Sequence, residues 1–336
     1  MNNMKMRLMF IFQLMVLAIA SCDETEETEY GNWVKYSDYE GVTRSSAVSF
    51  TIGEYAYVGL GTDGDDYLLD LWRYDAAKNF WQQMADFPGP GRVSAVSFAA
   101  NGKGYVTTGF NDDLDTEELN DLWEYDPSSN TWTQKTSFPG TARYDAVAFT
   151  LNDHGYVGTG YDGNYLKDFY RYNPTSDTWT QTVSLYGSKR EAAVSFVIDN
   201  KAYIISGRNN GVYLYDFWAF DAESESWTEL SLNDEDDTYD EFVLALGRYD
   251  ASAFVVDGIA YVGLGVASSY STSFYTYDPS TNEWDDEVTE FEGSGRSDAV
   301  AFVLDNVPYI VTGRNSSQRF DDIWAYYPDE EYNEYD

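Results

Sequence analysis

Histidine and cysteine are almost absent from the chain, which has one of each among 336 residues. A lone cysteine, Cys22, excludes internal disulfides and cysteine-rich metal sites. The only histidine that a Ser-His-Asp triad could use is His154. It lies in the turn-like sequence Asn152-Asp-His-Gly155, so we interpret it as a surface turn residue. Paired carboxylates for glycoside chemistry stay open, because Asp and Glu occur throughout. The sequence therefore favours a non-enzymatic protein.

Basic residues are also scarce, since 20 Lys and Arg stand against 58 Asp and Glu, for a net charge of −38. Such a charge repels nucleic acid and anionic membrane surfaces, so no nucleic-acid partner is predicted. It attracts divalent cations, and Asp63, Asp65 and Asp66 have the oxygen ligands that Ca²⁺ prefers. They do not match the spaced pattern of a dedicated calcium loop. We therefore predict that these three residues lie in a solvated loop and that the protein has no cofactor. The alternative is that they bind Ca²⁺.

Long hydrophobic runs are missing apart from Leu8 to Ala20, which is too short to span a membrane as a helix. Lys5 and Arg7 precede it, so residues 1–21 are predicted to be a signal peptide. The next sequence, Ile19-Ala20-Ser21-Cys22, resembles a bacterial lipoprotein cleavage site, and the resemblance implies that Cys22 carries the lipid. The alternative is a free thiol beside an ordinary secretory cut.

An acidic tether is predicted at residues 22–31, because Asp23 to Glu29 is acidic and lacks apolar side chains. An acidic run just after a lipidated cysteine resembles the surface-export signal of Bacteroidetes lipoproteins. This resemblance implies an outer-membrane lipoprotein of the cell envelope that is exposed at the cell surface. The alternative is a plain spacer.

The rest of the chain repeats one unit six times at intervals of about fifty residues. In the unit from Arg92 to Trp132, four short runs of Val, Phe, Tyr, Trp and Thr alternate with polar residues and are separated by turn signals such as Asn101-Gly102. This pattern predicts four antiparallel strands in hairpins. The landmarks of the repeat are an arginine (Arg44, Arg92, Arg143, Arg190, Arg248, Arg296), a glycine (Gly61, Gly109, Gly160, Gly207, Gly265, Gly313) and a tryptophan in the fourth strand (Trp81, Trp132, Trp179, Trp227, Trp284).

The sixth repeat has no fourth-strand tryptophan, but Trp33 stands eleven residues before Arg44, the same distance as Trp81, Trp132 and Trp179 from the arginines that follow them. A strand around Trp33 is therefore predicted to pair with the strand around Trp324, so that the two ends of the chain complete one sheet and leave no open edge.

These landmarks resemble the Kelch family, whose repeat has a Tyr-containing strand that ends in a glycine doublet, then a Trp-x-Tyr-Asp strand and a Trp strand. The resemblance covers roughly residues 32 to 327 and implies an all-β, six-bladed propeller, which we assign to residues 32–336. The first glycine of the doublet is replaced in every repeat, for example by Leu60 and Thr108. Galactose oxidase has Kelch-type blades, but its copper site needs two histidines and a Tyr–Cys crosslink, which this chain cannot supply.

Ligand candidates lie in the loops of one face, where propellers usually bind. The six repeated arginines can clamp a ligand there, or each can pair with a carboxylate such as Asp145, Glu191, Asp250 or Asp298. The scaffold role is favoured because all six repeats keep the arginine. The sharper candidates occur in two repeats only, and they are Arg208, Asn209, Arg314 and Asn315.

The sequence thus predicts a lipid-anchored propeller that binds a glycan or a protein partner at the cell envelope. The alternatives are a sugar-modifying enzyme, as among the Kelch propellers that act as sialic-acid mutarotases, and a structural subunit of a lipoprotein complex. An insertion at Ser231 to Leu246 lengthens one loop, and an exposed apolar run from Phe242 to Leu246 would favour a protein partner.

Overall fold

The computed structural model describes residues 29–232, 245–333 and 335. The predicted signal peptide, Cys22, most of the acidic tether and residues 233–244 of the insertion lie outside these ranges. Within them, no helix is long and apolar enough to cross a membrane.

Six four-stranded antiparallel sheets form the blades of the propeller, as predicted. The strands in chain order are β1 (Tyr30–Lys35), β2 (Val48–Ile52), β3 (Tyr55–Gly59), β4 (Leu71–Asp75), β5 (Phe80–Gln83), β6 (Val96–Ala100), β7 (Lys103–Thr107), β8 (Leu122–Asp126), β9 (Thr131–Lys135), β10 (Val147–Leu151), β11 (His154–Gly158), β12 (Phe169–Asn173), β13 (Thr178–Gln181), β14 (Val194–Ile198), β15 (Lys201–Ile205), β16 (Arg208–Asn209), β17 (Val212–Tyr213), β18 (Phe217–Asp221), β19 (Ser226–Leu230), β20 (Ser252–Val256), β21 (Ile259–Gly263), β22 (Phe274–Asp278), β23 (Glu283–Asp285), β24 (Val300–Leu304), β25 (Val307–Val311) and β26 (Ile323–Glu331). A short 3-10 helix spans Ala76–Lys78.

Each blade begins with its innermost strand and moves outward along the chain. Blades 1, 2 and 3 are β2–β5, β6–β9 and β10–β13; blade 4 is β14, β15, β18 and β19; blade 5 is β20–β23; blade 6 is β24, β25, β26 and β1. The turns are those that right-twisted hairpins require, since Asn101 and Gly102 take φ values of 50° and 71°. The small hairpin of β16 and β17 lies in the loop between the second and third strands of blade 4.

The chain ends meet in blade 6, as predicted, because β1 pairs antiparallel with β26 and Trp33 lies opposite Tyr326. The acidic C-terminal tail remains in this sheet beyond Tyr327. Strand β26 continues to Glu331, and Tyr30 lies opposite that residue. Hydrogen bonds to β1 hold the acidic tail in place.

Aromatic side chains fill the space between neighbouring blades. In blade 1, Phe50 stacks on Tyr57 with ring centroids 5.3 Å apart, and Tyr125 of blade 2 packs against Tyr57 at 5.4 Å. Similar groups recur around the ring, and each combines residues of two adjacent blades. The repeated aromatics are therefore core residues, and each blade depends on its neighbour for burial.

Candidate ligand site at the mouth of the central channel

The six repeated arginines are buried inside the blades, with at most 1% of each exposed. In five blades the guanidinium donates hydrogen bonds to an aspartate that stands two residues before the aromatic pair of the third strand. These pairs are Arg44–Asp70, Arg92–Asp121, Arg143–Asp168, Arg190–Asp216 and Arg296–Asp322. The arginines therefore brace the scaffold, in agreement with the role favoured by their repetition, and cannot reach a ligand as a rim of donors.

The carboxylate partners that the sequence suggested for these arginines were wrong. Asp145, Asp250 and Asp298 follow the arginines closely in sequence, but the chain turns there and carries them toward the propeller axis. The correct partners lie 25 to 29 residues further along, as in Arg143–Asp168 and Arg92–Asp121. Their constant position before the third-strand aromatic pair was the available signal.

A ring of six residues, each two positions after a repeated arginine, surrounds the axis at the mouth of the channel. The members are Ser46, Ser94, Asp145, Ala192, Asp250 and Asp298, and their φ values lie between 50° and 56°. Backbone N–H groups donate across blade boundaries, for example from Ala192 to the carbonyl of Asp145 at 2.9 Å. Left-handed backbone at non-glycine residues is costly and often accompanies functional sites. The ring surrounds a cavity of about 170 Å³.

Below the cavity the channel continues for about 260 Å³ and is lined by small residues of the innermost strands, such as Ala47, Ser97 and Ala148. The loops that enter the blades and the loops between their second and third strands lie on one face, as predicted, because β-bridges join them. Two such bridges are Tyr144 to Tyr161 and Glu191 to Arg208.

Three aspartates, from the loops that enter blades 3, 5 and 6, make the mouth acidic. Burial, opposed by a hydrogen bond from Ser94, raises the pKa of Asp145 to about 7. Burial and then the nearby charges of Asp298 and Asp145 raise the pKa of Asp250 well above its usual range. The mouth therefore holds carboxyl groups that are protonated near neutral pH.

Arg208 and Arg314 flank Asp250, since the charges of both oppose the rise that burial causes in its pKa. Arg208 donates from Nε to Glu191 Oε1 at 2.7 Å and lies over the ring of Tyr249 at 4.1 Å. Arg314 donates from Nε to Asp298 Oδ2 at 2.8 Å. Among the described residues, no hydrogen bond occupies the Nη atoms of either arginine, so these forked donors remain available to a ligand.

These two arginines are distinguished from the six repeated ones in the sequence, because they break the repeat. The equivalent positions after the repeated glycines hold Thr62, Phe110, Tyr161 and Val266 in the other blades. The sequence did not indicate the tyrosines that lie beside Arg208. Tyr213 stacks on Tyr249 with centroids 5.9 Å apart, and this pair continues the surface that Arg208 covers.

The two candidate asparagines have local partners. The side-chain oxygen of Asn315 accepts from the backbone N–H of Ser317 and of Gln318, at 2.9 Å and 3.1 Å, and so shapes its own loop. Asn209 pairs with Val212 in the β16–β17 hairpin, and its side-chain oxygen accepts from Asn210. Asn315 therefore stabilises its own turn, while Asn209 lies next to Arg208 in the hairpin.

The loop with the alternative calcium ligands also has internal hydrogen bonds. Asp63 Oδ1 accepts from the backbone N–H of Asp65 and of Asp66, at 3.0 Å and 2.8 Å. In the part of the chain that the structure describes, no group of three or more His, Cys, Asp or Glu residues is placed to hold a metal ion.

We expect Asp145→Asn to flatten the dependence of stability on pH. Because the pKa of Asp145 is raised to about 7 in the folded state, its contribution to stability is present below the unfolded value and is lost as pH rises toward 7. The variant should gain stability relative to the wild type between about pH 5 and pH 8. Denaturant unfolding at both pH values measures this, with Asp153→Asn, in an exposed turn, as the control. An equal pH dependence in wild type and Asp145→Asn would contradict the assignment.

Comparison with known proteins agrees with this architecture. A family model described as the KLHDC2/KLHL20/DRC7 Kelch-repeats domain matches residues 43–189 and 139–289. A solved structure, "Structure of YjhT", is similar to the chain with a TM-score of 0.72 and 17% sequence identity, over 86% of this chain and 95% of the other. That likeness shows the fold alone. The comparison with curated proteins gave no match.

Proposed function

The chain belongs to the Kelch-repeat β-propeller family, and from that premise we propose that it is a non-enzymatic binding module for a glycan or protein partner at the cell envelope. The binding surface of this proposal is the mouth of the channel, with Arg208, Arg314, Tyr249 and Asp250. The observation that carries it is the concentration of repeat-breaking polar and aromatic side chains at one place on an otherwise regular scaffold.

The chemistry of the mouth favours a glycan. Guanidinium Nη donors, protonated and ionised carboxyl groups and tyrosine rings together suit a ligand with many hydroxyl groups and one flat apolar face. The cavity of about 170 Å³ suits a small group better than the broad patch that stable protein interfaces need. In the apolar run that would favour a protein partner, Leu246 is buried. Residues 242–244 of that run lie outside the described ranges.

We expect Arg208→Ala and Arg314→Ala each to weaken binding of the ligand by roughly tenfold or more, since each removes a charged hydrogen-bond donor. A glycan array on the full-length protein in detergent identifies ligands, and calorimetry on the best of them measures the loss.

Arg73→Ala is the matched control for both variants. Arg73 also lies over a tyrosine ring, 4.3 Å from the centroid of Tyr55, but it belongs to strand β4 and has no place at the mouth. Equal losses in all three variants, or no loss in the two mouth variants, would contradict the proposed site.

We also propose that Cys22 anchors the protein in the outer membrane and that the propeller faces outward. The support is the sequence Ile19-Ala20-Ser21-Cys22 and the acidic run that follows it. Metabolic labelling with a fatty acid, with Cys22→Ser as control, tests the anchor. Added protease tests the display, because full protection on intact cells contradicts outward exposure.

A second candidate function is a sugar-modifying enzyme with mutarotase-like or epimerase-like chemistry. The observation that favours it is the raised pKa of Asp145 and of Asp250, because carboxyl groups protonated near neutral pH can act as general acids. Exchange of sugar anomers followed by NMR tests it. Acceleration by the wild type that is lost in Asp250→Asn would favour the enzyme over the binding module.

A further inference from the structure

Blade 4 differs from blades 2, 3 and 6 at the loop that leads into it. In three other blades this loop contains a phenylalanine that packs edge-on against the aromatic residue of the third strand, as Phe87 does against Trp123 at 5.6 Å. The equivalent residue before blade 4 is the smaller Leu185, followed by Tyr186. Tyr186 is 57% exposed and meets Trp218 edge-on at 6.5 Å.

The exchange of phenylalanine for leucine is accompanied by an open groove of about 620 Å³, within the size range of small-molecule sites. Its aromatic lining is Tyr186, Tyr213, Tyr215 and Trp218. The chain comes close here only because residue 187 is glycine. A Cβ at that position would lie 2.5 Å from both Asp216 Oδ2 and Trp218 Nε1.

The ion pair at the base of the groove is incomplete compared with its equivalents. In blades 1, 2, 3 and 6 both carboxylate oxygens accept from the arginine, as in Arg92–Asp121. In blade 4, Oδ2 of Asp216 accepts from both Arg190 and Trp218, at 2.5 Å and 2.7 Å. Oδ1 of Asp216 has no hydrogen-bond partner among the described residues. A buried acceptor without a donor is costly, so this ion pair stabilises its blade less than its equivalents do.

The groove and the mouth of the channel share Tyr213. Its ring stacks on Tyr249 beside Arg208, and the same residue lines the groove. The β16–β17 hairpin that carries it is held by a hydrogen bond from the Tyr213 hydroxyl to the carbonyl of Ala267 at 2.7 Å. A continuous aromatic path therefore leads from the mouth outward across blade 4.

We propose that this groove is a second sugar subsite, so that the ligand is a neutral oligosaccharide that extends from the channel mouth along blade 4. The proposal rests on the proposed function and deepens it. Aromatic faces bind the apolar faces of successive sugars. The charges in and beneath the groove balance, with Lys167 and Arg190 against Asp216 and Glu229, which favours an uncharged chain over a sulfated or uronic one.

Binding as a function of chain length tests the inference. The probes are cello-, malto- and manno-oligosaccharides of one to six sugars, titrated into the full-length protein in detergent. For the series that binds, the wild type should gain affinity with length. The affinity of Tyr186→Ala should be roughly fivefold to tenfold lower than that of the wild type for the longer oligosaccharides, and almost unchanged for the monosaccharide. Tyr186→Phe, which keeps the ring, should restore the gain.

Phe80→Ala is the matched control, because Phe80 is 55% exposed and lies on the outermost strand of blade 1. A length-dependent gain that survives in Tyr186→Ala overturns the inference, as does an equal loss in Phe80→Ala. If short sugars still bind and depend on Arg208, the proposed function stands and only the groove is wrong. If none of these sugars binds and the glycan array gives no ligand either, the glycan proposal fails as well.

Discussion

Replacing Trp33 by alanine is expected to lower the free energy of unfolding by at least about 3–5 kcal/mol, the usual cost of removing a buried tryptophan. The side chain is fully buried. Its ring packs against Tyr326 of blade 6 at 4.6 Å and against Phe274 and Phe291 at 5.4 Å and 4.9 Å. One residue thus seals blade 6 and its boundary with blade 5. Denaturant unfolding followed by tryptophan fluorescence and circular dichroism measures the loss.

The loss should exceed that of the same substitution in another blade, because β1 is joined to its sheet only by hydrogen bonds and packing. Trp227→Ala is the matched control, since Trp227 is 4% exposed and holds the equivalent position in the fourth strand of blade 4. Its strand follows β18 directly through a short turn and cannot leave the sheet as easily. Equal losses in the two variants would contradict the closure of the ring as a separate source of stability.

The closure could be predicted from sequence because it follows from counting. Each blade needs one fourth-strand tryptophan, the last repeat has none, and Trp33 stands at the right distance before Arg44. Such landmarks recur because each of the six blades packs against its neighbours in the same way. Periodicity therefore identifies the blades, the ring and the face that carries the candidate loops.

The mouth could not be predicted in the same way, because its features depend on backbone conformation and on blade geometry. Their short distance in sequence predicts that Asp145 and Asp250 pair with Arg143 and Arg248. A single left-handed residue in each loop turns them toward the axis instead, where each meets the equivalent residues of other blades. The groove beside blade 4 was equally hidden. It arises from one missing ring, at Leu185, and from the exposed Tyr186 and the half-buried Tyr213, which sequence distance does not bring together.

Replacing Asp121 by alanine is the second large effect, expected to lower the free energy of unfolding by about 3–5 kcal/mol, as when one partner of a buried ion pair is removed. The variant leaves the guanidinium of Arg92, with no exposed surface, without its counter-charge. It also removes the acceptor for Trp123 Nε1 at 2.6 Å. The loss is measured by denaturant unfolding at about pH 7, with Asp126→Ala, on the same strand in an exposed turn, as the control.

The loss in free energy of unfolding caused by Asp121→Ala should be smaller at low pH. Burial raises the pKa of Asp121, but hydrogen bonds from Arg92 and its charge outweigh burial, so the pKa lies below the usual value. Stability from the pair is therefore complete above the unfolded pKa and is lost as pH falls through the lower folded value. A difference between wild type and variant that stays constant down to about pH 2 would contradict the ion pair as its source.

Blade 5 provides the reverse experiment, because the chain lacks the aspartate there. Ser273 stands in its place, Arg248 is buried, and the Nε of Arg248 has no hydrogen-bond partner among the described residues. Burial lowers the pKa of Arg248, as expected for a cation that has no carboxylate beside it among the described residues. Ser273→Asp should therefore raise the free energy of unfolding, by about 1.5–3 kcal/mol for a new charged hydrogen bond. A gain in blade 5 together with a loss in blade 2 would show that the charge pair itself stabilises each blade, rather than the volume that the aspartate fills.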